Sequence, residues 1–110
     1  MPGTFHLVVD DRGPVAVATF IPAPTPYRPE ATTFQLRGMA VDPDRRGEGL
    51  GRVVLEAAAD RMRTAGATAV WANARDTALG FYQRLGWQVV GEGYVHGPMD
   101  LPHHLAIFDL

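Results

Sequence analysis

The stretch Asp42-Pro43-Asp44-Arg45-Arg46-Gly47-Glu48-Gly49-Leu50-Gly51 constrains this chain more than any other. It follows a run that reads as a strand and opens one that reads as an amphipathic helix. Alternate glycines let the backbone turn so that several N–H groups point to one side. A helix starting at Leu50 leaves its first N–H groups unpaired, and a partial positive charge gathers there. Together these features make an anion site suited to a pyrophosphate. Arg45, Arg46 and Arg52 place cationic side chains beside it.

The flanking patterns give the architecture. Phe5 to Asp10 alternates and reads as a strand, Asp11 to Pro14 as a turn, and Val15 to Ile21 as the second arm of a hairpin. Four prolines between Pro22 and Pro29 favour an extended surface loop, either a plain connector or a lip beside a substrate. Thr33 to Asp42 is a third strand, stopped by Pro43. Leu50 to Ala65 is the clearest helix, with Leu50, Val54, Ala57, Ala58, Met62 and Ala65 as its buried stripe and Gly66 as a left-handed cap. Ala69 to Ala74 is a short strand. Asp76 can cap a second helix, Thr77 to Leu85, whose Ala78, Phe81, Tyr82 and Leu85 share a face before Gly86 stops it. Gln88 to Val90 and Leu105 to Phe108 are closing strands on either side of a Gly/Pro-rich loop from Gly91 to Pro102. The expected fold is α+β: a mixed, mostly antiparallel sheet with a central strand-helix-strand unit and two main helices. With 110 residues, positions 1–110 form a single domain.

Composition removes several functions. The net charge of -2 argues against a nucleic-acid partner. No apolar run reaches the roughly 18–20 residues of a membrane span, and the N-terminus lacks the pattern of a signal peptide, so a cytoplasmic protein is expected. There is no cysteine, hence no disulfide and no thiolate nucleophile. His103-His104 lacks further ligands at zinc spacing, and no metal is expected.

Three phosphate-binding patterns compete for the turn. A Walker loop needs a lysine, and all ten basic residues here are arginine. The dinucleotide fingerprint needs its third glycine where Arg52 stands. What remains is Arg-x-x-Gly-x-Gly, filled by Arg46, Gly49 and Gly51. After a strand ending Val-Asp-Pro, and opening an amphipathic helix, this resembles the GNAT superfamily of acyl-CoA N-acyltransferases. The stretch Asp76 to Trp87 is similar to that family's second signature, Ala-x-x-Phe-Tyr-x-x-x-Gly-aromatic. The two motifs are separated by one helix and one strand, as the family requires, and the resemblance is good over positions 33 to 90.

The resemblance implies transfer of an acetyl group from acetyl-CoA to a primary amine of a small molecule or a peptide. It implies that Met39, Ala40 and Val41 offer backbone groups to the pantetheine arm as an added strand would. The pyrophosphate would lie on Arg46, Gly47, Glu48, Gly49, Leu50, Gly51 and Arg52. Asn73 would hydrogen-bond the cofactor arm. Ala78 lets the cofactor approach the second helix, and Phe81 anchors it. Tyr82 would be the catalytic acid that protonates the leaving thiolate. The chain departs from the family in two respects. It begins almost at the hairpin, where relatives carry a strand and helices that wall the acceptor pocket, so a homodimer is expected to cover the open side. The glutamate that many relatives carry on the third strand is replaced by Gln35, leaving Glu30, His103 and His104 as the remaining candidates for a base. A non-catalytic acyl-CoA-binding or interaction module of the same fold is the alternative.

Overall fold

A computed structural model describes residues 3–110. The strands are β1 (Phe5–Asp10), β2 (Pro14–Pro22), β3 (Thr33–Val41), β4 (Ala69–Arg75), β5 (Gln88–His96) and β6 (Leu101–Asp109), and the helices are α1 (Leu50–Thr64) and α2 (Leu79–Arg84). They form one six-stranded sheet in the order β1-β2-β3-β4-β6-β5. Only β3 and β4 run parallel; every other neighbour is antiparallel. The fold is therefore the mixed α+β arrangement that the element order predicts.

Both helices lie on one face of the sheet. Ala16, Ala18 and Phe20 of β2, Phe34 and Leu36 of β3, Ala72 and Ala74 of β4 and Ala106 of β6 pack with Val54, Leu55, Ala58 and Met62 of α1 and with Tyr82 of α2. Alternate residues along each strand point the same way, so one face collects the apolar set. Phe20 is fully buried and stacks on Phe5, with ring centroids 5.1 Å apart. We predict that Phe20→Ala destabilises the fold by about 3–5 kcal/mol, the usual cost of emptying a core aromatic site. Urea unfolding checks this; a midpoint unchanged from the wild type would show that the site lies outside the cooperative core.

The opposite face carries no helix among the described residues. Gln35, Trp71 and Ile107 sit side by side there on β3, β4 and β6. The proline-rich loop crosses this face. The Trp71 indole donates to the Ala23 carbonyl at 3.1 Å, Thr25 is buried, and Arg28 makes a forked pair with Asp109 at 2.8 and 2.9 Å. The loop is thus fastened at both ends and is more than a connector.

Four details of the expected arrangement change. The buried stripe of α1 is Gly51, Val54, Leu55, Ala58, Ala59 and Met62, while Ala57 and Ala65 face solvent. Leu55 and Ala59 turn inward because α1 is covered over a broader arc than one stripe. The second helix is shorter than Thr77 to Leu85: a 3-10 turn spans Asp76–Ala78 and the α-helix begins at Leu79. Asp76 does not cap it, because its carboxylate accepts from His104 Nδ1 at 2.7 Å instead. The stretch expected to be a loop, Gly91 to Pro102, is mostly strand. A bulge between Val90 and Tyr94 absorbs the extra residues, and the β5–β6 pairing resumes at Tyr94–His103.

Both helices end as the glycines foretold. Gly66 and Gly86 take φ of 86° and 92°, and the N–H groups of Ala67 and Trp87 reach back to the carbonyls of Met62 and Tyr82. These are left-handed caps of the Schellman type. The second brings the Trp87 ring to 4.9 Å from that of Tyr82.

Candidate active site

The turn between β3 and α1 is built by a short 3-10 segment, Pro43–Arg45, capped by the Asp42 carboxylate, which accepts from the Asp44 N–H at 2.9 Å. Gly47 and Gly49 then take φ of 86° and 79°. An L-residue side chain disfavours that backbone region, and Gly adopts it without strain. Gly49 is the N-cap of α1, and among the described residues no side chain caps the helix. The first N–H groups of α1 are therefore free for an outside anion.

This turn lines a cavity of about 730 Å³ together with Met39, Ala40 and Val41 of β3 and Phe81, Arg84 and Leu85 near α2. Arg46, Gly47, Gly49, Leu50, Gly51 and Arg52 all contribute to its wall. Glu48 does not. Its carboxylate turns away to accept from Arg45 Nε at 2.7 Å, which holds it below the ordinary carboxylate range. Arg45 also binds Asp11 at 3.0 Å. It is therefore engaged by two carboxylates, and it also lines the cavity. Arg46 has no carboxylate partner among the described residues, and Arg52 is held only loosely by Glu56 at 3.7 Å. Gly51 has a second role. A Cβ there would stand 3.0 Å from the Phe81 ring, so its missing side chain lets α2 come against α1.

A second cavity adjoins the first through Met39 and Phe81, which line both. It exists because β3 and β4 separate. Their parallel pairing covers only Thr33–Ala69, Phe34–Val70 and Gln35–Trp71. From Leu36 onward the edge of β3 that faces β4 is unpaired, and a bulge at Thr19–Phe20 of the β2 pairing leaves Arg37 as the extra residue of β3. The slot is lined by Leu36, Arg37, Gly38 and Met39 on one side and by Ala72, Asn73, Ala74 and Arg75 on the other. Ala78, Phe81 and Tyr82 close its end. Such an edge can accept an extended chain as an added strand.

Tyr82 is buried against Trp87 and Phe81, whose centroids lie 4.9 and 5.4 Å from its own. Burial pushes its hydroxyl above the ordinary value of 10.0, and no hydrogen bond contributes to that shift. The hydroxyl therefore keeps its proton at neutral pH and is available as a donor. Asn73 is also placed in the slot, and its side-chain carbonyl accepts from the Tyr94 hydroxyl. That bond occupies the Asn73 carbonyl and leaves its amide N–H groups as donors.

The candidate bases are not in the slot. Neither Glu30, His103 nor His104 lines it. His103 is buried with Nδ1 against the Leu101 carbonyl at 2.6 Å, and His104 is bound to Asp76. Sequence reasoning missed Arg37, Arg75 and Tyr94. Tyr94 was concealed in a glycine-rich stretch whose strand character depends on the bulge beside it. The two arginines carried no motif, and only the separation of their strands gives them a shared cavity.

The arrangement of strands and helices is shared with known proteins. The model of the Acetyltransferase (GNAT) family matches residues 1–87. This chain belongs to the GNAT acetyltransferase family. An uncharacterized N-acetyltransferase of Bacillus subtilis, YitI, is 34% identical over 110 residues, covering 96% of this chain and 70% of that protein. The fold is also that of a GCN5-related N-acetyltransferase from Kribbella flavida, at TM-score 0.74 and 24% identity, with 100% of this chain and 70% of that one covered. An aminoglycoside 6'-N-acetyltransferase complexed with coenzyme A matches at TM-score 0.79 and 14% identity, covering 98% and 73%. As a GNAT protein the chain is an acyl-CoA-dependent N-acetyltransferase, with acetyl-CoA as acyl donor and an amine as acceptor. Among the described residues no helix is long and apolar enough to cross a membrane.

Proposed function

We propose that this GNAT domain acetylates a primary amine, with the turn from Arg46 to Arg52 holding the pyrophosphate of acetyl-CoA and the free edge of β3 at Met39, Ala40 and Val41 holding the pantetheine. The thioester then lies in the slot between β3 and β4, with Asn73 donating to the arm and Tyr82 beside the sulfur. The observation that supports this most is the end of β3–β4 pairing at Gln35–Trp71, which opens the slot in line with the anion site. Soaking or co-crystallising with acetyl-CoA tests it. A cofactor bound elsewhere, with the slot empty, overturns the assignment.

In that arrangement the amine nitrogen attacks the thioester carbonyl carbon and the carbon–sulfur bond breaks. The departing thiolate takes its proton from the Tyr82 hydroxyl, and the tyrosinate recovers one from water. The nitrogen must attack as a free amine, and its extra proton leaves to solvent, because no carboxylate or imidazole is among the slot-lining residues. We predict that kcat/KM rises with pH to a plateau set by the acceptor's own pKa. Acceptors of different amine pKa measured side by side check this. A rising limb that stays at one pH for every acceptor would reveal a protein base.

A homodimer is the assembly we propose. The paired Val8 and Val17 remain 54 % and 39 % exposed on the helix-free face of the β1–β2 hairpin. Light scattering that gives a monomer's mass at high concentration overturns it. A cytoplasmic location goes with the proposal, since the acyl donor is an intracellular metabolite. Fractionation of the source cells tests that.

A further inference from the structure

The charge at the mouth of the slot carries information about the acceptor. Of the eleven described residues lining the slot, the only cationic ones are Arg37 and Arg75, and none is acidic. They stand on the two strands that separate. Leu36 and Met39 of β3, and Ala72 and Ala74 of β4, pack into or against the helix-side core. Arg75, one residue beyond Ala74, belongs by alternation to the opposite, helix-free face, and Arg37 is the exposed extra residue that the bulge inserts after Leu36. The two cations thus stand on opposite walls of the slot, one from each of the strands that separate. Both are exposed, and neither has an acidic partner among the described residues. The nearest acid in sequence, Asp76, is taken up by His104.

Two unpaired guanidinium groups on either side of a reaction slot repel a second positive charge and attract a negative one. Their fork of donors matches a carboxylate or a phosphate. We infer that the acceptor is a small amine that also carries an anionic group, a carboxylate or a phosphate, held between Arg37 and Arg75 while its nitrogen reaches the thioester. The inference rests on the slot being the acetyl-transfer site. It separates this chain from enzymes for polyamines, whose second cation these arginines disfavour.

The test is a matched acceptor panel: β-alanine and phosphoethanolamine as anionic amines, propylamine as the neutral comparison, and 1,3-diaminopropane as the cationic one. Turnover is read as thiol release at a pH where comparable fractions of each amine are free, with acetyl-CoA affinity measured by calorimetry. An anion-bearing amine should exceed propylamine in kcat/KM by ~10-fold or more, the scale of one hydrogen bond to a charged group. The diamine should be the poorest. The carboxylate and phosphate arms show which anion is preferred. Arg37→Gln and Arg75→Gln should each reduce the preference through KM, and Arg75→Glu should turn it toward the diamine. Acetyl-CoA affinity should stay within about twofold, since a change confined to the acceptor leaves the donor site intact. A wild type that uses the diamine as well as the anionic amines overturns the inference and leaves the slot assignment standing. So do arginine variants that lower turnover of every acceptor equally. A folded wild type that fails to bind acetyl-CoA overturns the slot assignment and the inference with it.

Discussion

Tyr82→Phe should lower kcat by about 10²–10⁴-fold, the range over which a positioned general acid contributes, while acetyl-CoA affinity stays nearly unchanged. The substitution removes one oxygen and keeps the ring. Packing against Trp87 and Phe81, at 4.9 and 5.4 Å between centroids, is therefore retained. What goes is the donor that burial holds in its protonated form. Because the hydroxyl's pKa is raised from 10.0, the wild type should show no loss of kcat from this group below that pH. Deprotonation would reduce the rate only as pH rises through the shifted value. The measurement is thiol release at saturating donor, with calorimetry for binding and thermal unfolding as a check on the fold. A Tyr82→Phe protein that turns over within a few-fold of the wild type would remove the hydroxyl from the reaction and leave Tyr82 as a packing residue.

Gly49→Asp should weaken coenzyme A binding by about 10²–10³-fold with little change in stability. A Cβ at Gly49 meets nothing within 4 Å, so the side chain has room. The φ of 79° costs a modest amount for an aspartate, one of the residues that tolerate left-handed backbone best. Aspartate is also a favoured N-cap, and its carboxylate can take up the free N–H groups of α1. Those are the groups proposed to hold the pyrophosphate. The variant thus fills the anion site with a charge of its own, and repulsion at about 4 Å in a partly exposed site is on the order of a few kcal/mol. Gly51→Asp is a poorer test, because a Cβ there presses on Phe81 at 3.0 Å and disturbs the α1–α2 contact. Calorimetry with coenzyme A on Gly49→Asp decides the matter. Unchanged affinity in a folded variant would remove the turn from cofactor binding.

The glycine turn, the long helix and the aromatic signature after Asp76 were legible because each is a local statement. Gly47 and Gly49 advertise the positive φ that they adopt, and Gly66 and Gly86 likewise mark the ends of α1 and α2. Elements that owe their form to distant partners were read less well. Asp76 looks like a helix cap until His104, 28 residues away, claims its carboxylate. The strand at Tyr94 is disguised by Gly91 and Gly93, and pairing with His103 reveals it.

The sequence by itself determined the fold class and the backbone of the glycine turn, since alternation, helical spacing and glycine positions act through neighbours a few residues apart, and the resemblance of its two motifs pointed to the family. Only the tertiary structure decided where β3 and β4 part, because pairing between strands separated by a whole helix is set by packing over the full sheet. That separation makes Arg37, Asn73, Arg75 and Tyr82 neighbours in one slot, and leaves the histidines of β6 outside it.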